Sequence, residues 1–349
     1  MKAYGLCVFV LVSASSAEAT WTPISSMDGV RISSNSAVLL PDGRAVFASG
    51  IAEGGPCTGT VFDPKSDSWT PTALMPPYCH QFSAAALLQD GTVLSVGTPF
   101  DDRTAFVLDP KSLAWSLVQS MERQHSSLTL TVLNDGSAMA IGSYDREYET
   151  YDPSSATWSC CGQTRFSRSD GTATLLLDGR LFVAGGGILP NSAEIYDPST
   201  GTWSSVPSMA SERRSHAAVL LADGRVLVVG GFHVLAPPEI FDPKSRRWSQ
   251  TSSPRSFTQV GQSLVLLADG RVLLAGGGLE GGSRFSEIFD PVTETWTDAG
   301  NMNVARSYPL ALRLLDGRVL LAGGMEDWRC VGKSCFATFT STAEIFTPD

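Results

Sequence analysis

An Asp-Gly dipeptide recurs at Asp42, Asp90, Asp135, Asp178, Asp223, Asp269 and Asp316, at intervals of 43 to 48 residues. Each copy closes one apolar run and opens a second, which ends in small residues. A short third run, an Asp-Pro turn and a lone Trp follow. Self-similarity at this period is the mark of a propeller or a solenoid, because each unit buries its apolar face only against its neighbours.

The fifth copy is the cleanest. Its first run spans 216–221, Asp223-Gly224 turns the chain, and 225–229 is the second run. Two apolar runs joined by Asp-Gly predict a hairpin, since glycine takes positive φ at little cost. Gly230-Gly231 ends the second strand where backbones crowd towards an axis. Glu239-Ile240-Phe241 is a third strand ended by Asp242-Pro243, and Trp248 opens a fourth. The unit is four antiparallel strands with no helix.

Tryptophans follow the third-strand turns at Trp69, Trp115, Trp158, Trp203, Trp248 and Trp296. The seventh third strand, Ile345-Phe346-Thr347-Pro348, has none after it, and Trp21 stands alone near the other end. An N-terminal strand that completes the last blade would close the ring and remove its open edges. The predicted fold is all-β: a seven-bladed β-propeller over residues 20–349, its last blade closed by the strand containing Trp21.

Residues 1–19 stand outside the repeat. Lys2, the apolar run 6–12 and Ala17-Glu18-Ala19 read as a secretory signal peptide cleaved after Ala19. The protein is therefore expected to be secreted or periplasmic, and monomeric. A net charge of −10 argues against nucleic acid and against an anionic membrane surface as partners. Beyond the leader, six cysteines in an exported chain suggest disulfides. Chain topology favours Cys57–Cys79 and Cys330–Cys335, which leaves Cys160–Cys161 as an adjacent pair.

The Gly-Gly after the second strand, the aromatic before the third turn and the Trp of the fourth strand resemble the kelch repeat. Arg123-Gln124-His125 and Arg214-Ser215-His216, leading into inner strands, extend the likeness. The Asp-Gly-Arg turns and the last blade, with Cys330 and Cys335 ahead of Ile345-Phe346-Thr347-Pro348, are most similar to the galactose oxidase group. That resemblance implies a copper site of two histidines and two tyrosines, one cross-linked to cysteine. The chain has no Tyr-His dipeptide and reads Ser307-Tyr308-Pro309 at the matching place, so no metal or other cofactor is expected. Nor does it carry a Gly-x-Ser-x-Gly, a His-Glu-x-x-His or a helix-bound phosphate loop.

In a four-stranded blade, the loops after the second strand and those between blades share one face. The longest, 325–342 in blade 7, carries Trp328, the one tryptophan outside the repeat. Long loops on a rigid scaffold are where binding residues gather. Arg31, His80, His125, Arg165, Arg214, His216, Arg255 and Arg306, with Tyr308, lead into inner strands and form a candidate ring at the channel mouth. Such a ring either binds an anionic group or ties blades together through backbone carbonyls. The sequence reading is an exported, non-catalytic kelch propeller that binds a protein or glycan through its variable-loop face. The alternative is a carbohydrate-active enzyme, copper-oxidase-like or a sugar isomerase, with its site at the channel mouth.

Overall fold

The computed structural model describes residues 19–349 apart from 28–29, 32–36, 49–50, 53–57, 76–83, 98–102, 126, 143–144, 233–234, 256–259, 279–280 and 332–333, with backbone alone at 30–31, 51–52, 328–331 and 334–336. The leader reading, which concerns residues 1–19, lies almost entirely outside these.

Seven four-stranded antiparallel sheets form the molecule. Blade 5 shows the pattern, with strands Ala217–Leu220, Val226–Val229, Glu239–Asp242 and Arg247–Gln250. The inner strand of each blade lies beside those of both neighbours, from Ala37–Leu39 round to Leu310–Arg313 and back. That return contact makes the array a ring.

The Asp-Gly turn is a three-residue loop. Leu221 N donates to Arg225 O at 2.8 Å and Gly224 N to Leu221 O at 3.0 Å. Only the glycine is left-handed, at φ 92°, as expected of a turn whose last residue twists the strands back together. Asp223 Oδ1 accepts from Arg225 N at 2.9 Å, and the guanidinium folds back on the same carboxylate. Three of these arginines also reach the next blade: Arg44 to Pro110 O at 2.9 Å, Arg225 to Pro291 O at 2.8 Å and Arg271 to Asp349 at 2.8 Å. These three ties lie on the underside.

Packing is between blades. The second strand of every blade is fully buried, as in Val226–Val229 and Leu181–Ala184, because each sheet is covered on both faces. Each of the seven apolar clusters joins one blade to the next; the one that closes the circle joins Leu310, Leu320 and Ile345 of blade 7 to Phe47 and Phe62 of blade 1.

The seventh blade is built from both ends of the chain. Thr20–Pro23 pairs antiparallel with Ala343–Thr347, and Trp21 lies opposite Phe346. Their rings are 5.0 Å apart, against 5.0 Å for Phe241–Trp248 and 5.1 Å for Tyr196–Trp203. Trp21 therefore fills the place that each repeat gives its own tryptophan.

The long connection of blade 7 is more ordered than a loop. Met325–Val331 and Ser334–Phe339 pair as a hairpin with Cys330 directly opposite Cys335. A second small pairing, Val30–Arg31 with Ile51–Ala52, lies on the same face in blade 1.

Candidate functional site

The third strands of blades 3 to 7 carry Glu149, Glu194, Glu239, Glu287 and Glu344, each two residues before an aromatic. All five are buried. Each accepts backbone N–H groups from the segment leading into its own inner strand. Glu194 accepts from Arg165 N at 2.9 Å, Glu239 from Ala210 N at 2.7 Å and Glu344 from Asn303 N at 2.7 Å. Glu149 and Glu287 do the same with Arg123 N and Arg255 N.

In three of these blades a buried guanidinium completes the clamp. Arg213 meets Glu239 at 3.0 Å and Arg306 meets Glu344 at 3.1 Å, and Arg168 pairs with Glu194 in the same way. Their other N–H groups reach the carbonyl ending the second strand, at Gly185, Gly230 and Gly323. A charge taken out of water survives only when paired and hydrogen-bonded, and here it is both. In blade 3, His125 takes the arginine's place, with Nε2 3.1 Å from Glu149. Burial pushes the Glu149 carboxyl up, but the bonds from His125, Glu122 N and Arg123 N outweigh it and hold it below the usual range.

This arrangement divides the candidate ring. Arg306 and His125 are buried clamp residues, while Arg165, Arg214 and Arg255 are exposed, with Arg165 bonded to Ser205 Oγ at 3.2 Å. The buried partners in blades 4 and 5 are Arg168 and Arg213, which the sequence reading did not single out. His216 is buried beneath them, 2.9 Å from Thr172 Oγ1. Burial first, then the charges of Arg213 and Arg168, push its imidazole down to about 3, so it is neutral. Arg31 and Trp328 are placed by backbone alone, opposite Ile51 and Ala337. His80, Cys57 and Cys79 lie outside the described residues. Cys160 and Cys161 are joined to each other in the outer strand of blade 3.

The five glutamates were missed although their signal was present. A carboxylate at one fixed step in an otherwise apolar, repeated strand has no reason to recur unless something buried pairs with it.

A second repeated feature sits at the channel mouth. Eight residues before each Asp-Gly aspartate, blades 3 to 7 hold Ser127, Asp170, Ser215, Gly261 and Tyr308, all left-handed with φ between 51° and 71°. The conformation turns backbone groups towards the neighbouring blade: Ser215 N donates to Asp170 O at 2.8 Å and Tyr308 N to Gly261 O at 2.6 Å. The Tyr308 ring packs over Gly261, where a Cβ would come within 3.0 Å of it. Burial, then the charge of Asp170, raise the Tyr308 phenol above its ordinary range.

Residues 170–210 match the Kelch motif, and they run from the left-handed Asp170 through the whole of blade 4. This is a kelch-repeat seven-bladed β-propeller. An F-box/kelch-repeat protein of Arabidopsis thaliana is 42% identical over 52 residues, which are 15% of this chain and 13% of that protein. Among solved structures, the propeller is similar to a fungal alcohol oxidase of the AA5 family in complex with copper. The TM-score is 0.77 at 17% identity, over 95% of this chain and 77% of the other. At that identity the likeness concerns the fold.

Among the described residues, imidazole and sulfur donors are not gathered as a copper site. Copper favours imidazole nitrogen and thiolate sulfur. The Nε2 atoms of His125 and His216 are committed to Glu149 and Thr172, in different blades. Among the described residues, the group of three close donors is Glu122, Cys160 and Cys161, and its two sulfurs are bonded to each other.

Proposed function

We propose that this propeller is a non-catalytic binding platform and that its variable-loop face receives a protein partner. The observation that carries this reading is a set of exposed apolar side chains on that face in three consecutive blades. Ile188 of blade 4 is 78% exposed, Phe232 and Leu235 of blade 5 are 52% and 69%, and Phe285 of blade 6 is 59%. On the underside, Leu177 and Leu315 lean on the turns of neighbouring blades, at Gly224 and Gly43. Ile188, Phe232 and Leu235 stand on connections between strands over a rigid ring, and Phe285 stands near the start of its strand Ser283–Asp290. Branched aliphatic groups offer a sugar little, whereas aliphatic and aromatic anchors are what a protein interface buries. Export of the chain, supported by the leader-like residues 1–19, would place that partner outside the cytoplasm.

The test is a displayed-peptide selection run beside a glycan array, each with the wild type and with an Ile188→Ser/Phe232→Ser/Leu235→Ser variant. Selected peptides that no longer bind the variant support the reading. Glycan hits lost in the variant would replace the protein partner with a sugar. Binding indifferent to the three substitutions would overturn the assignment to this face.

A further inference from the structure

In blades 4 and 5 the buried glutamate of the third strand faces one residue of the outer strand: Ser205 opposite Glu194, and Gln250 opposite Glu239. Blade 3 differs. Its register shifts between Tyr148 and Thr150, so Glu149 faces two outer-strand residues, Cys160 and Cys161. Neighbouring side chains of a regular strand point to opposite faces, and a bulge of this kind re-aims them. Here the two sulfurs meet and are bonded to each other.

The same glutamate brings in a third donor. Glu149 Oε2 accepts from Glu122 N at 2.8 Å, which pins the connection from blade 2 against the bulge. The Glu122 carboxylate and the two sulfurs lie within 4.8 Å of one another. Zinc holds sulfur at about 2.3 Å and carboxylate oxygen at about 2.0–2.2 Å, so a small rotation of exposed Glu122 brings all three onto one ion. The neighbouring cation, Arg123, is spent on Glu147 at 3.1 Å, and among the described residues none pairs with the Glu122 carboxylate. Glu122 also lines a groove with Arg103, Gln124 and Asp145, and Cys161 is exposed, so a reductant and an ion both reach the cluster.

We propose that the reduced cluster, the Cys160 and Cys161 thiolates with the Glu122 carboxylate, binds a thiophilic divalent cation of the zinc class. A phosphine or thiol reductant supplies two electrons, which break the S–S bond, and two protons complete the two thiols. The phosphine leaves as its oxide, with oxygen taken from water, or the thiols leave as their disulfide. The cation then displaces both thiol protons as two metal–sulfur bonds form. Two thiolates select against magnesium and calcium, which take oxygen donors. Three protein donors leave the fourth tetrahedral position to water. In the oxidised chain neither sulfur carries charge, and the site is closed. The cluster shares no residue with Ile188, Phe232, Leu235 or Phe285, so its failure would leave the loop-face reading intact.

The experiment reduces the full chain with tris(2-carboxyethyl)phosphine, removes the reductant without oxygen, and titrates Co2+ followed by Zn2+. The reduced wild type should show thiolate-to-cobalt absorption and bind one more ion per chain than a Cys160→Ser/Cys161→Ser variant, whose uptake counts any other thiols. Zinc should displace the cobalt, and excess magnesium should not. The oxidised chain should lack that ion. Glu122→Gln should weaken binding by about tenfold or more. Melting temperatures check that each variant is folded. Equal uptake by the oxidised chain or by the cysteine variant, no thiolate band in the reduced wild type, or full affinity in a folded Glu122→Gln variant would overturn the proposal.

Discussion

Trp21 and Phe346 pack with ring centroids 5.0 Å apart, and Trp21 Nε1 donates to Ser286 Oγ of blade 6 at 2.9 Å. One residue near the start of the propeller thereby holds its last strand and the preceding blade together. Trp21→Ala should cost about 3 kcal/mol, measured by denaturant unfolding. Removing 20–23 should do more, because it leaves Ala343–Thr347 as an open edge. Concentration-dependent association in light scattering is the expected result.

The clamps predict a marked asymmetry between single and double substitutions. Arg306→Met or Glu344→Leu alone strands a buried charge and should cost about 3–5 kcal/mol. Arg306→Met with Glu344→Leu removes both charges and should cost clearly less than the two single changes added. A double-mutant cycle in urea measures the difference. Equal costs would show that the pair carries no coupling.

His216 gives the fold a dependence on pH. Its folded pKa of about 3 lies below the 6.5 of an unperturbed histidine, so the unfolded chain binds the extra proton first. The stability it supports is complete above pH 6.5 and is lost as pH falls from 6.5 towards 3. The slope approaches about 1.4 kcal/mol per pH unit for one proton. His216→Gln should flatten the stability curve in that window, read from urea midpoints at successive pH values. Glu149 adds a separate loss at lower pH, because its folded pKa is depressed and its stabilisation fades as pH falls through that value.

Two glycines separate conformation from space. Gly91 and Gly187 are both left-handed, at φ 86° and 56°. A Cβ at Gly91 meets nothing within 4 Å, whereas one at Gly187 would collide with Ser167 O. Gly91→Ala should cost about 1–2 kcal/mol for the backbone alone. Gly187→Ala should cost distinctly more, and thermal unfolding of the two variants side by side tests the order.

Much of this architecture was legible in the residues. The Asp-Gly spacing, the displaced Trp21 and the Ile-Phe-Thr-Pro ending foretold seven blades and how the ring closes, because period and pattern fix which strands can pair. The hairpin of 325–339 was read as a loop because it occurs once, and a unit without copies has no period to reveal it.

The candidate site was less legible. Sequence placed Arg165, Arg168, Arg213, Arg214, Arg255 and Arg306 in the same kind of segment and could not tell which turn inward. Glu194, Glu239 and Glu344 decide that, and each lies 26 to 38 residues further along the chain than the arginine it holds. Alternation along a strand is a local property, so the sequence by itself determined the blade, its turns and the count of seven. Which charges are buried and which stand at the channel mouth depends on pairs that meet only when each strand is seated. That selection belonged to the tertiary structure, because an ion leaves water only for a partner already in place.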